Sequence, residues 1–253
     1  MADQNARGRF VWYDLMTPDP QKVEPFYKAV TGWGTQVWDG TAPYTMWTAG
    51  GAPLGGVMAS LGGAPPAWLA YIAVPDVDAS VAQAQSLGAR VLAPATNIPD
   101  VGRFAVLADP HGATFAVFTS SNETPGNEGP PALGEFSWHE LMTADHSAAF
   151  DFYHALFGWD TLDQHDMGPM GMYRMFGRNG TMLGGMFNKP PSMQMPPNWL
   201  HYVRVDSADR AAEIVKANGG TVMNGPMEVP GGDRIAQCMD PAGAAFAVHS
   251  LKA

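Results

Sequence analysis

Residues 12–17 read Trp-Tyr-Asp-Leu-Met-Thr, and residues 138–143 read Trp-His-Glu-Leu-Met-Thr. The echo stays in register: Phe26-Tyr27 returns as Phe152-Tyr153 and Gly32-Trp33 as Gly158-Trp159, each 126 positions on. After a three-residue insertion, Tyr44 and Met46 return as Tyr173 and Met175, and Gly55-Gly56 as Gly184-Gly185. Trp68, Arg103 and Asp109-Pro110 return as Trp199, Arg234 and Asp240-Pro241, now 131 positions apart. A separation that drifts in this way marks a duplicated segment with loop insertions. Equivalent positions can then be compared as if they came from two related proteins. What both copies keep serves the shared fold or site; what one copy keeps is free or specialised.

The duplication also sets the domain organisation. A chain of 253 residues accommodates one large domain or two ordinary ones. The repeat decides for two, of roughly 115 residues each, enough to bury a core. Residues 120–134 are rich in Gly, Pro, Asn and Ser, without apolar period, and read as a linker between copy one (8–119) and copy two (135–251). The net charge of −10 disfavours nucleic acid and anionic membranes as partners, since both need basic patches. No apolar run is long enough to span a membrane, and the N-terminus lacks a basic start followed by an apolar stretch. The single cysteine, Cys238, makes no internal disulfide and reads as a small core residue, so a reducing, cytoplasmic setting is expected.

Within copy one, 10–16 reads as a strand, broken by Pro18-Asp19-Pro20. Asp19 is placed to cap a helix that carries Val23, Phe26, Tyr27 and Val30 at helical spacing and ends at Gly32. Pro25 should weaken or kink its first turns. Strands follow near 35–39, 43–49 and 54–60. The pattern restarts with a strand at 68–74, a helix from Val77 ended by Gly88, and strands near 89–93, 103–108 and 114–119. Copy two repeats both modules, with helices near 146–157 and 207–218. The expected class is α+β, four β-α-β-β-β modules with mixed sheets, and not the alternation of a doubly wound parallel sheet.

These words and this order resemble the glyoxalase/bleomycin-resistance/extradiol-dioxygenase (vicinal oxygen chelate) superfamily. The carrying residues are Phe26-Tyr27…Gly32-Trp33, Val74-Pro-Asp-Val77 and Asp109-Pro-His-Gly-Ala-Thr-Phe115. Copy two carries Phe152-Tyr153…Gly158-Trp159 and Asp240-Pro-Ala-Gly-Ala-Ala-Phe246. Trp-x-Asp/Glu-Leu-x-Thr, with Gly-Arg-Phe-Ala-Val-Leu at 102–107, resembles the tandem-copy actinobacterial members related to a mycobacterial antigen. The resemblance implies two glyoxalase-like domains, each a curved mixed sheet around a cavity. It also implies a divalent metal held by His, Gln or Glu on the first and last strands of each module. Transferred through the shared anchors, those positions fall on Trp12, Leu69, Ala116 and the glycines around Gly56. In copy two they fall on Trp138, Leu200, Ala247 and the run around Gly185. None is a metal ligand, so no metal or other cofactor is expected. An alternative set, His139, His201 and His249, lies on three strands of copy two. Strand parity turns His139 and His201 away from the cavity and only His249 toward it.

Asp14 and Glu140 have cavity parity and are candidate acid–base groups or ligand anchors; each alternatively ties down neighbouring backbone or an arginine. Arg103 and Arg234 either pair with them or bind an anionic ligand. Trp12, Tyr44, Tyr71, Trp138, Tyr173 and Tyr202 recur in both copies, as core or as stacking walls for a flat organic ligand. A copy-two methionine tract, with Met167, Met170, Met172, Met175, Met182, Met186, Met193 and Met195, is an adaptable lining or a loose core. Gly55-Gly56 and Gly184-Gly185 read as close backbone contacts. Three functions stay open: a metal-independent protein holding a small organic molecule, a metal-dependent lyase or dioxygenase of the glyoxalase type, and an interaction protein with vestigial cavities. The tandem copies supply the pairing that single-copy relatives gain by dimerising, so a monomer is expected.

Overall fold

The computed structural model describes residues 6–40, 44–60, 63–122 and 129–252. Copy one runs β1 (Phe10–Thr17), α1 (Pro20–Thr31), β2 (Gly34–Val37), β3 (Thr45–Ala49), β4 (Ala52–Ala59), β5 (Ala67–Ala73), α2 (Val77–Ser86), β6 (Arg90–Ile98), β7 (Gly102–Ala108) and β8 (Thr114–Ser120). Copy two runs β9 (Phe136–Thr143), α3 (His146–Phe157), β10 (Asp160–Asp166), β11 (Met172–Arg178), β12 (Thr181–Asn188), β13 (Asn198–Arg204), α4 (Ala208–Ala217), β14 (Thr221–Glu228), β15 (Arg234–Met239) and β16 (Ala245–Ser250). The β-α-β-β-β order therefore occurs four times, and the fold is α+β. Each copy builds one eight-stranded sheet, β2-β3-β4-β1-β5-β8-β7-β6 and β10-β11-β12-β9-β13-β16-β15-β14. Both are mixed: β1 with β4, β5 with β8, β9 with β12 and β13 with β16 are parallel, and the hairpins are antiparallel. No helix of the described residues is long and apolar enough to cross a membrane.

The helix signals act as their chemistry requires. The Asp19 carboxylate accepts the Lys22 N–H at 3.2 Å, and Gly32 leaves α1 in the left-handed region at φ 76°. Pro25 does not break the helix, which runs unbroken over Pro20–Thr31. Its fixed φ is already helical, and the missing bond lies near the N-terminal end. β6 extends past its expected end at 93 to Ile98, through Pro94. It is an edge strand, and its ladder with β7 shifts register between Ala93 and Thr96, which accommodates a residue without an N–H. Residue 43, expected to open a strand, lies outside the described residues.

Packing couples the copies. Val23, Phe26, Tyr27 and Val30 form the buried stripe of α1. Tyr27 Oη donates to Asp240 Oδ2 at 3.1 Å and accepts from Trp68 Nε1 at 2.9 Å. Phe26 and Tyr27 both meet Phe246 edge-on, at 5.7 and 5.2 Å between centroids. Copy two reciprocates: Tyr153 Oη donates to Asp109 Oδ2 at 3.0 Å and accepts from Trp199 Nε1 at 3.2 Å, and Tyr153 packs on Phe115 at 5.5 Å. Each aspartate spends its other oxygen on its own Asp-Pro-x-Gly turn. Asp109 Oδ1 accepts from His111 and Ala113 N–H groups, and Asp240 Oδ1 from those of Ala242, Gly243 and Ala244. Burial, and then the adjacent carboxylate, push both phenol pKa values well above the ordinary tyrosine range.

The chain accordingly forms two compact units that cut across the repeat. One carries the described residues of 1–12, 70–126 and 139–199; the other carries those of 13–69, 127–138 and 200–253. The sheets follow the copies, whereas the helix packing exchanges them. The core of the first unit combines Ile72, Val77, Leu107 and Phe115 from copy one with Leu141, Phe152, Tyr153 and Trp159 from copy two. Replacing Tyr27 by Phe deprives the buried Trp68 N–H and an Asp240 oxygen of a partner. Urea denaturation should show a loss of about 1–3 kcal/mol. Unchanged stability would show that the cross-copy pair contributes nothing.

Candidate functional site

β1 alternates between two faces. Val11, Tyr13 and Leu15 are buried on one, and Trp12, Asp14 and Met16 occupy the other. In copy two, Leu141 joins the core beside α3, so Trp138 and Glu140 face away from that helix. Each carboxylate on this face meets a tyrosine from the start of the third strand of its module, Tyr44 just before β3 and Tyr173 on β11. Tyr44 Oη donates to Asp14 Oδ1 at 2.5 Å, and Tyr173 Oη donates to Glu140 Oε2 at 3.0 Å. Both distances lie in the ordinary range of O–H···O hydrogen bonds. Asp14 is 4% exposed, so this phenol reaches a carboxyl group that is shielded from water.

The double glycines make the dyads possible. Asp14 is registered against Gly56 on the parallel neighbour, and Glu140 against Gly185. A Cβ at Gly56 would collide with the Tyr44 ring, and one at Gly185 with the Tyr173 ring. A Cβ at Gly55 or Gly184 would strike the carbonyl of Tyr13 or His139. The first glycine lets the two strands approach, and the second makes room for the ring that reaches the carboxylate.

The other expected residues fall into distinct places. Tyr71 and Tyr202 are buried; Tyr71 packs near Phe104 and Phe118, and Tyr202 Oη accepts from Gln237 Nε2 at 2.8 Å. Trp12 and Trp138 are half-buried. Arg103 and Arg234 do not pair with Asp14 and Glu140. Arg103 forms a two-pronged pair with Asp78, both bonds at 2.8 Å, and Arg234 does the same with Asp209 at 2.6 and 2.8 Å. Asp78 and Asp209 sit in the first turns of α2 and α4, so each arginine pins its strand to a helix and holds that carboxyl below its usual range. The methionine tract divides: Met175 and Met186 are core, and Met170, Met172, Met182, Met193 and Met195 are exposed. Cys238 is buried, and burial pushes its thiol up to about 12.

The three histidines of copy two occupy different environments. His139 is buried and stacks on Phe10 at 3.7 Å. His201 is buried edge-on to Tyr13 and Phe136. His249 hydrogen-bonds Ser137 and Asp233. Register places Arg204 opposite His249 and Tyr202 opposite Ala247, so His201 and His249 emerge from opposite faces of adjacent strands. The metal positions implied by the family hold Trp12, Leu69, Ala116 and Gly56, and Trp138, Leu200, Ala247 and Gly185. None offers a lone pair suited to a divalent ion, so this donor set does not fit one. Among the described residues, no group of three or more His, Cys, Asp or Glu side chains is arranged to hold a metal ion.

Sequence reasoning missed the polar cluster of Ser137, Asn224, Asp233 and Gln237. The available signal was the copy comparison, since the equivalent positions in copy one are Val11, Ala93, Gly102 and Val106.

Burial lowers the His201 pKa to about 3. The folded state therefore refuses a proton that the unfolded chain takes up near pH 6.5, and stability falls as pH drops from about 6.5 toward 3. The slope is roughly 1.4 kcal/mol per pH unit at full effect. His201→Leu should flatten the acid limb of urea midpoints against pH; an unchanged limb would exclude His201 as its source.

The family model for the Glyoxalase/Bleomycin resistance protein/Dioxygenase superfamily matches residues 135–248, and that for the Glyoxalase-like domain matches residues 11–118. The chain is 34% identical over 244 residues to "Putative glyoxylase CFP32" of Mycobacterium bovis, covering 94% of this chain and 92% of that protein. It is 31% identical over 265 residues to the anthracycline biosynthesis protein DnrV of Streptomyces peucetius, covering 98% and 94%. In fold it is similar to the Mn(II)-bound glyoxalase of Novosphingobium aromaticivorans, with a TM-score of 0.64, 19% identity and coverage of 97% and 82%. It is also similar to the 2,3-dioxygenase LapB of Pseudomonas sp. KL28, with a TM-score of 0.66, 13% identity and coverage of 98% and 92%.

Proposed function

The chain belongs to the glyoxalase/bleomycin resistance/dioxygenase superfamily through both of its copies, and we propose that it holds a small, flat organic molecule at its carboxylate–phenol dyads without the usual metal. The observation that carries this reading is the duplicated dyad, Asp14 with Tyr44 and Glu140 with Tyr173, each built on a glycine that yields its side-chain space to the tyrosine ring. Carboxyl and phenol oxygens are the groups that recognise a ligand hydroxyl or N–H. Trp12 and Trp138, on the same strand faces as the carboxylates, supply apolar surface for an aromatic ring. The ligand class is therefore an aromatic molecule bearing hydroxyl or carbonyl groups. A relative named for anthracycline biosynthesis is consistent with oxygenated aromatic chemistry. The lack of lone-pair donors at the family's ligand positions supports the metal-free reading. Asp14 and Glu140 are also the groups of this chain fit to accept a proton from such a ligand.

A ligand-observed NMR screen of hydroxylated and carbonyl-bearing aromatic fragments tests the proposal. Binders are expected to weaken about tenfold or more in the double variants Asp14→Asn/Tyr44→Phe and Glu140→Gln/Tyr173→Phe, as loss of a hydrogen bond to a charged group predicts. Binding insensitive to both double variants, or no binding to the folded protein, would overturn it.

A further inference from the structure

Ser137, His249 and Asp233 form a continuous hydrogen-bonded chain. Ser137 Oγ lies 2.9 Å from His249 Nδ1, and His249 Nε2 lies 3.0 Å from Asp233 Oδ2. They come from β9, the turn before β15, and β16, and all lie in the same compact unit. Asp233 Oδ1 accepts the Lys252 backbone N–H at 3.0 Å, which fixes the carboxylate. In neutral imidazole, an Nε2–H donated to Asp233 leaves Nδ1 as the acceptor. The single Ser137 proton then turns to Nδ1 at 2.9 Å, in preference to the Tyr202 carbonyl at 3.3 Å. The His249 and Asp233 side chains are 16% and 32% exposed, and Ser137 is half-buried, so the chain is neither sealed in the core nor loose on the surface.

Comparison of the copies shows that the three residues appear and vanish together. Their copy-one equivalents are Val11, Phe118 and Gly102. Around them the anchors are kept: Tyr71 and Tyr202, Arg103 and Arg234, Asp109 and Asp240. A Cβ at Gly102 would lie 2.7 Å from the Phe118 ring. Copy one therefore pairs a large ring with a glycine, where copy two pairs a histidine with an aspartate. The fold accepts an apolar solution at this place, and copy two carries instead the constituents of an activated serine.

We propose that Ser137 is a nucleophile toward small activated carboxylic esters, with His249 as its base and Asp233 as the group that orients the imidazole. Ser137 Oγ forms a bond to the acyl carbon as its proton passes to His249 Nδ1. The bond from the acyl carbon to the alkoxy oxygen breaks, and His249 returns the proton to the departing alcohol. Water, deprotonated by the same nitrogen, then releases the carboxylic acid and restores the serine. Asp233 fixes the tautomer and stabilises the transient imidazolium.

The test treats the full-length protein with a fluorophosphonate probe, maps the adduct by peptide mass spectrometry, and follows p-nitrophenyl acetate cleavage alongside. The adduct is expected on Ser137. Labelling and ester cleavage should vanish in Ser137→Ala and fall about a hundredfold or more in the double variant Asp233→Gly/His249→Phe. That variant installs the packing copy one already uses, so its unfolding midpoint should stay near that of the parent. Asp233→Asn keeps the shape of the side chain and should slow labelling by lowering kcat rather than raising KM; it carries the test alone if the double variant unfolds. An unlabelled Ser137 in the folded protein, or one labelled as fast in the Asp233 variants as in the parent, would show that the chain of bonds is only a structural tie.

Discussion

The hydrogen bond from the helix tyrosine of each copy to the turn aspartate of the other is the contact on which the arrangement depends. Tyr27 meets Asp240 and Tyr153 meets Asp109, each with a tryptophan N–H on the same phenol oxygen. A buried hydroxyl and a buried carboxylate tolerate each other only when both are fully bonded. This geometry satisfies them by dividing the aspartate between its own turn and a foreign helix. The Phe-Tyr and Asp-Pro-x-Gly words therefore occur in both copies: each is half of a joint whose other half lies in the other copy, 213 positions away for Tyr27 and Asp240 and 44 for Tyr153 and Asp109. The joint also places the two buried phenylalanines, Phe115 and Phe246, against the helices.

With the helix-facing side of each sheet committed to this joint, the opposite face of the first strand is free to carry chemistry. There both copies made the same choice. An acidic residue on the first strand, a tyrosine at the start of the third and a glycine on the fourth produce one dyad per copy. Other positions of the two copies diverged. Copy one has Val11, Ala93, Val106 and Phe118 where copy two has Ser137, Asn224, Gln237 and His249. The duplication thus preserved one element of polar chemistry and specialised another.

The elements legible in the sequence were those written in local pattern. The α1 stripe, its Asp19 cap and its Gly32 stop are all set within a dozen residues, and β1 parity alone placed Asp14 beside Trp12. The partner of Asp14 was not legible, because Tyr44 arrives from another strand thirty residues away, and pairing across strands depends on register. The partner of Arg103, Asp78, was not legible for a related reason. Its cross-strand partner Thr119 bonds the Val74 carbonyl just before α2, and that side of the strand meets Asp78 on the helix. The exchange of packing between the copies was invisible in principle. Two helices that share the Phe-Tyr word and two near-identical turns satisfy the same pattern whether they pair within a copy or across it.

In the function proposed above, acidic–phenolic dyads, and not a metal centre, are the chemical equipment of the shared strand faces. Its most direct test is the divalent-metal content of the untagged full-length protein, purified without chelator and measured by mass spectrometry. The account predicts iron, manganese, zinc and nickel well below one equivalent per chain after dialysis. Near-stoichiometric retention of any one of them would contradict it.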